Sequence, residues 1–225
     1  MKDRPMQRDE DAGWSEKPQG AFRLRYPEDE LRHGWLALLL DAYAIIDRGI
    51  ARAIESETRK RHVGLACIKG CAACCRTHRD IPLYPLEMVG IYWFCVEKMD
   101  PAVREILKGQ LSRFTVGGTC PFLIDSSCSI HPMRPVACRQ FNVFGNACAE
   151  GEDPFHTRRK DVLTPLKEYV EKAFVVMMPF YGITKEADKL RAARQGLLHS
   201  QATNLKSYNW RALRKRMDDF DAGSL

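Results

Sequence analysis

Nine cysteines punctuate this 225-residue chain, and eight of them fall into two short groups. The first reads Cys67-Ile-Lys-Gly-Cys71-Ala-Ala-Cys74-Cys75-Arg76. Two residues between Cys71 and Cys74 let a tight turn aim both sulfurs at one metal, and Gly70 with the alanines keeps that turn open to backbone amides. The side chains of adjacent Cys74 and Cys75 diverge, so their thiolates would reach different metals or different irons of one cluster. The second group comprises Cys120, Cys128, Cys138 and Cys148. Seven and nine residues separate its members, too many for one finger-like hairpin, so this group must close onto the first through the fold. The ninth, Cys95, lies in the apolar run Ile91-Tyr-Trp-Phe-Cys95-Val and reads as a buried small hydrophobe.

Thiolate-rich sites select zinc, iron–sulfur clusters or Cu(I) over magnesium and calcium. Eight thiolates suit two four-ligand sites, or one four-cysteine cluster with a second metal. The doublet and the wide separations favour an iron–sulfur cluster over zinc, because a dispersed set suits irons that each take one ligand. Arg134 and Arg139 flank Cys138, where they would lower thiolate pKa values and offset the charge of a ligated metal, or else lie on the surface. His131 is read as packing or hydrogen bonding rather than ligating. His62, His78 and His156 flank the loops without regular spacing, and Glu87 reads as an acid in the first turn of a helix.

The combination Cys71-Ala-Ala-Cys74-Cys75, Cys120-Pro-Phe-Leu, Cys128-Ser-Ile-His131 and Arg134-Pro135-Val-Ala-Cys138-Arg139 resembles the YkgJ-type cysteine-cluster (CxxCxxCC) family. The resemblance covers about residues 65–148. It departs from the family pattern in placing three residues, rather than two, between Cys67 and Cys71. It implies zinc or iron chelation and no settled reaction. Flagellin lysine N-methylases carry a related cysteine motif, so the resemblance also admits a protein-modifying enzyme. Cys67, Cys71 and Cys74 match the spacing of radical-SAM enzymes, but the alternating strand–helix pattern of their barrel is absent and the match reads as incidental. No phosphate loop, dinucleotide fingerprint or nucleophile elbow occurs, and no catalytic set stands out.

Periodicity then indicates what must hold the cysteines. From Glu28 to about Lys60, Leu31, Trp35, Leu38, Ala42, Ile45, Gly49, Ile50 and Ala53 recur at helical steps. Further helices are expected over Leu86–Lys98, from an Asp100-Pro101 cap to about Phe114, from Thr164-Pro165 through Met177, over Thr184–Leu198, and over Ser207–Phe220 with Trp210, Leu213, Met217 and Phe220 on one face. Met177 and Met178 read as core filler. The expected fold class is mainly α, with helices surrounding two irregular cysteine-rich loops. The expected organisation is a flexible arm at 1–27 that Trp14, Phe22 and Tyr26 could dock, a helical cysteine-cluster domain at 28–154 and a C-terminal helical extension at 155–225.

Hydrophobic residues make up 45% of the chain, enough for a core, and no apolar run approaches the roughly 20 residues of a membrane span. The polar start, Met1 to Gly13, has no apolar signal segment, so the cytosol is the expected compartment, where thiols rarely pair as disulfides. The formal charge of +6 would suggest nucleic acid. A zinc held by four thiolates carries about −2, however, so two such sites bring the total to about +2 and make nucleic acid an unfavoured partner. Three functions follow. The first is a non-catalytic metal-binding or cluster-carrying protein, accessory to another enzyme; the second is an iron-dependent enzyme acting on a peptide, protein or small molecule. The third is a zinc-stabilised module whose helical ends bind a protein or peptide partner.

Overall fold

The computed structural model describes residues 23–224. Most of the expected arm, with Trp14 and Phe22, lies outside the described residues. Its last part is docked: Tyr26 packs edge-on against Trp93 at 4.9 Å, and Arg23 pairs with Glu30 and Asp41.

The fold is mainly α, as expected. Pro27 at the first helical position and the acids Glu28, Asp29 and Glu30 start α1 (Pro27–Arg32). His33 leaves helical geometry (φ −127°, ψ 87°), and the long α2 (Gly34–Arg61) follows, ending on Arg59, Lys60 and Arg61 with His62 in the left-handed region. The one continuous helix expected here is therefore two. Its buried face also differs from the expected one. Leu36, Leu39, Leu40, Tyr43 and Ile46 are buried with Ala42, Gly49 and Ala53, whereas Leu31 is 89% exposed. Other elements pack on α2 from several sides, so more than one narrow stripe is apolar.

After α3 (Ala73–Thr77) and the short strand β1 (Pro82–Leu83) comes α4 (Pro85–Trp93), whose last turn widens into π geometry over Phe94–Lys98. Asp100 caps α5 (Pro101–Ser112) as its sequence predicts, accepting from the amides of Ala102 and Val103 at 2.9 and 3.2 Å. The second cysteine stretch is less irregular than expected. Strands β2 (Leu123–Ile124) and β3 (Ser127–Cys128) form a hairpin pairing Leu123 with Cys128. Asp125 and Ser126 both take positive φ (45° and 58°) at its two-residue turn, as a type I′ turn requires. Two short helices follow, α6 (Val136–Gln140) and α7 (Pro154–Thr157).

In the C-terminal third, α8 (Lys167–Met177) packs along α2. The two approach so closely at Gly49 that a Cβ there would lie 2.6 Å from Tyr169 Cβ, so only glycine fits. Met177 and Met178 are fully buried. The helix expected over Thr184–Leu198 is broken by Gly196 (φ 78°) into α9 (Glu186–Arg194) and α10 (Leu197–Ser200). Strand β4 (Thr203–Asn204) pairs antiparallel with β1, and α11 (Arg211–Asp221) lies on α5 and the π turn. Trp210, Leu213 and Met217 are buried, while Phe220 stays 38% exposed. Arg104 and Lys108 of α5 hold the end of α11 through Asp221, at 2.6 and 2.5 Å. One apolar cluster runs from Leu36 to Met217, so the helices on both sides of the cysteine loops share a single core.

Candidate metal centre

Three local devices present the first cysteine group. The backbone at Ala66 donates to Val143 at 2.8 Å, placing Cys67 beside residue 143, whose amide reaches Cys67 Sγ at 3.4 Å. Gly70 (φ 83°) turns the chain, which leaves Cys71 exposed. Helix α3 then carries Cys74 and Cys75 at successive positions, about 100° apart around its axis. The second group closes onto the first through the backbone, since the Cys120 amide donates to the Cys75 carbonyl at 2.8 Å. Cys120 is buried; Cys128 sits on the hairpin, Cys138 on α6, and Cys148 in the loop after Gly145.

The thiols fall into an inner and an outer neighbourhood. In the inner one, Cys74 engages Cys75 and Cys75 engages Cys120. The hydrogen bond with Cys75, followed by burial, holds the Cys74 thiol far above its ordinary pKa. The contact with Cys120 pushes Cys75 up to about 12, opposed by the contact with Cys74. Burial raises Cys128 and Cys138 as well, each within electrostatic reach of Cys74. In the outer one, burial and then the neighbouring thiols raise Cys67 and Cys148, which both face Cys71. Cys67 also feels Cys74, so the doublet adjoins both neighbourhoods. Backbone amides oppose the rise at three sulfurs: that of Val143 at Cys67, that of Ile130 at Cys128, and those of Cys74 and Cys75 at Cys74. Such N–H donors stabilise bound thiolates in metal sites. These contacts are pairwise. Among the described residues no three His, Cys, Asp or Glu side chains are gathered around one centre.

Cys95 is fully buried and its thiol is raised by burial, consistent with a core residue, although Cys128 lies within electrostatic reach. His131 is exposed on a short 3-10 turn. His156 is also exposed.

Several residues matter more than their sequence context indicated. Arg139 is not a surface arginine. It is 5% exposed, pairs with Asp47 at 2.6 Å, lies over the Tyr43 ring at 3.9 Å and donates to the carbonyls of Pro132 and Arg134. It thereby fixes the turn leading into Cys138. Arg134 is half-buried, and its Nε has no hydrogen-bond partner among the described residues. Glu87 is fully buried, accepting from the Tyr84 amide at 3.1 Å and from the Val136 amide at 2.7 Å. Its carboxylate therefore caps α6, the turn that carries Cys138. Burial lifts its pKa to about 7, opposed by those two amides and by Arg139. His78 bonds Asp153 at 2.9 Å between the rings of Phe141 and Phe155, pinning the first cysteine loop to α7. Lys206, from the C-terminal segment, is buried beside the inner thiols. Burial lowers its pKa, while Cys120, Cys75, Cys74 and Cys138 oppose that shift. Of these, Arg134 and Arg139 were marked by their place beside Cys138 and Glu87 by its place in the first turn of a helix, whereas Lys206 gave no signal.

The donor set fits a thiophilic metal. Neutral thiols packed against one another satisfy few hydrogen bonds, and a cation would replace several protons with stronger ligand bonds. The CxxCxxCC family model, whose description proposes a zinc- or iron-chelating domain, matches residues 66–162. That segment is less than half of the chain yet contains all nine cysteines, the eight grouped ones and Cys95. No curated protein and no solved structure matches the chain.

Proposed function

We propose that this chain, whose residues 66–162 match the CxxCxxCC family model, holds an iron–sulfur cluster through its thiolates and serves as a cluster-carrying or accessory protein in the cytoplasm. Zinc is the second choice. All eight grouped cysteines are the candidate ligands, with Cys74, Cys75, Cys120, Cys128 and Cys138 in the inner neighbourhood and Cys67, Cys71 and Cys148 in the outer one. The observation that carries this reading is the tie between the two groups, where the amide of Cys120 bonds the carbonyl of Cys75 and their thiols meet. A bound cluster supplies one-electron storage. The chain's residues exclude water from the inner set, donate amides to Cys67, Cys74 and Cys128, and hold Cys138 through Arg139 and Glu87. Among the described residues no helix is long and apolar enough to cross a membrane. The apolar faces of α8 and α11 are spent in the core, which favours an accessory role over a module that binds partners through free helical ends.

Anaerobic purification followed by iron, zinc and acid-labile sulfide analysis and a visible spectrum tests this. A brown protein with comparable iron and sulfide is expected. A colourless zinc protein would select the second choice, and a chain with neither metal, whose cysteines alkylate freely in the native state, would overturn both.

A pH dependence follows from the raised thiol pKa values. At Cys74, Cys75, Cys128 and Cys138 binding must displace protons held above the ordinary thiol range, at about 12 for Cys75. Metal affinity should therefore climb with pH across neutrality, by roughly one log unit per pH unit for each proton released and so up to about 10⁴-fold per unit for four thiols. Zinc competition with a chelator, corrected for the chelator's own protonation, between about pH 6 and 8 measures it. A flat profile would mean that the buried thiols are not the ligands.

A further inference from the structure

Four lysines and arginines are buried among the described residues, and three of them have carboxylate partners. Arg104 and Lys108 pair with Asp221, and Arg139 with Asp47. Lys206 differs. It is 1% exposed, and its ammonium makes a single long hydrogen bond, 3.4 Å, to the carbonyl of Arg76. The ionisable groups within its electrostatic reach include the thiols of Cys120, Cys75, Cys74 and Cys138.

Its position is built by the surrounding backbone. Pairing of β1 with β4 sets Asn204 opposite Pro82, and Leu205 then donates to Ile81 at 2.9 Å. The Asn204 side chain donates to the Arg79 carbonyl at 2.8 Å and accepts from the Lys206 amide at 2.9 Å. The Lys206 carbonyl accepts from Gly117 at 3.2 Å. One end of the residue thus rests three positions before Cys120, and the other touches the residue that follows Cys75. Lys206 is wedged where the two cysteine groups meet.

We propose that Lys206 is the built-in counter-cation of the inner thiolate site, supplied by chain outside the matched segment 66–162. This rests on the metal-binding reading above. A divalent zinc with four thiolates is net negative, and a four-cysteine iron–sulfur cluster is as well. Placing that charge in a water-poor site is costly unless a fixed positive group offsets it. In the metal-free chain, with neutral thiols, the same ammonium has nothing to offset and is a net cost. The charge of Lys206 should therefore act in opposite directions in the two states, which a spacer could not do.

The test uses the full chain, Lys206→Met and Lys206→Arg, prepared anaerobically. Zinc affinity is read by chelator competition, and thermal midpoints are read with and without zinc. Lys206→Met should weaken zinc binding by about 10- to 100-fold, the usual worth of a group supporting metal ligands, while its metal-free midpoint equals or exceeds that of the wild type. Lys206→Arg should stay within about three-fold, a shift of well under one kcal/mol, because the charge is kept. If iron and sulfide are the native load, Lys206→Met should also shift the cluster's reduction potential downward. Wild-type affinity in Lys206→Met would overturn the inference. So would a metal-free midpoint that falls alike in both variants, the mark of a packing wedge. A wild-type chain that takes up neither zinc nor iron overturns the metal-binding reading and this inference with it, whereas uptake that is insensitive to Lys206→Met overturns the inference alone.

Discussion

Cys75→Ser is expected to remove most of the bound metal from the purified protein. Its effect should exceed the roughly 10- to 100-fold loss that accompanies removal of an outer-shell partner, because a ligand itself is lost. Cys75 is the point where the two cysteine groups touch: its carbonyl takes the Cys120 amide and its thiol meets those of Cys74 and Cys120. Serine keeps the backbone bond and the approximate volume, so the change isolates the sulfur. Cys95→Ser is the control. Cys95 is fully buried, so a hydroxyl there costs about 1–3 kcal/mol of stability if it finds no partner, yet metal content should hold. The two variants thus separate metal content from stability, one losing metal and the other losing thermal midpoint. Metal analysis beside a melting curve reads both, and equal metal loss from Cys95→Ser would place the ninth cysteine among the ligands, next to Cys128.

The helices were the readable part of this sequence because their signals are local. Asp100-Pro101 caps α5 by its own side chain, and the steps Trp210, Leu213, Met217 place α11 on the core. Where helices meet several neighbours, local periodicity misleads. Leu31 shares its spacing with Trp35 and Leu38 but stands just before the His33 break, where nothing covers it. The burial of Cys95 was also legible, since an apolar helical run marks it in any context, but the burial of Cys120 and the short helices that carry Cys74, Cys75 and Cys138 were not. Nor were the inner and outer neighbourhoods. They depend on the pairing of Cys120 with Cys75 and on a hairpin whose Asp125-Ser126 turn lacks the usual glycine. Lys206 was invisible for the same reason. It lies 131 residues from Cys75 in the chain, and only the β1–β4 pairing brings it there.

Glu87 is where this long-range order has the largest predicted effect on stability. Its carboxylate spans two elements, taking the Tyr84 amide at the start of α4 and the Val136 amide at the start of α6. Glu87→Ala would leave both buried amides unsatisfied, at about 1–3 kcal/mol each, and open a cavity besides. A loss of about 3–5 kcal/mol in chemical denaturation is expected, with metal content falling because Cys138 sits in the released turn. Glu87→Gln separates cap from charge. The folded pKa of about 7 lies above the ordinary 4.5. Between those values the folded state keeps a proton that the unfolded state has lost, so stability declines as pH rises through this window and levels off above it. The shift corresponds to about 3 kcal/mol. Glutamine cannot titrate, so its stability relative to the wild type should improve by that order between about pH 4.5 and pH 8. Parallel curves would show that the charge of Glu87 is fully compensated by Arg139 and the two amides. A converging pair would show instead that the cap on the Cys138 turn is held at a cost that grows as the carboxyl ionises.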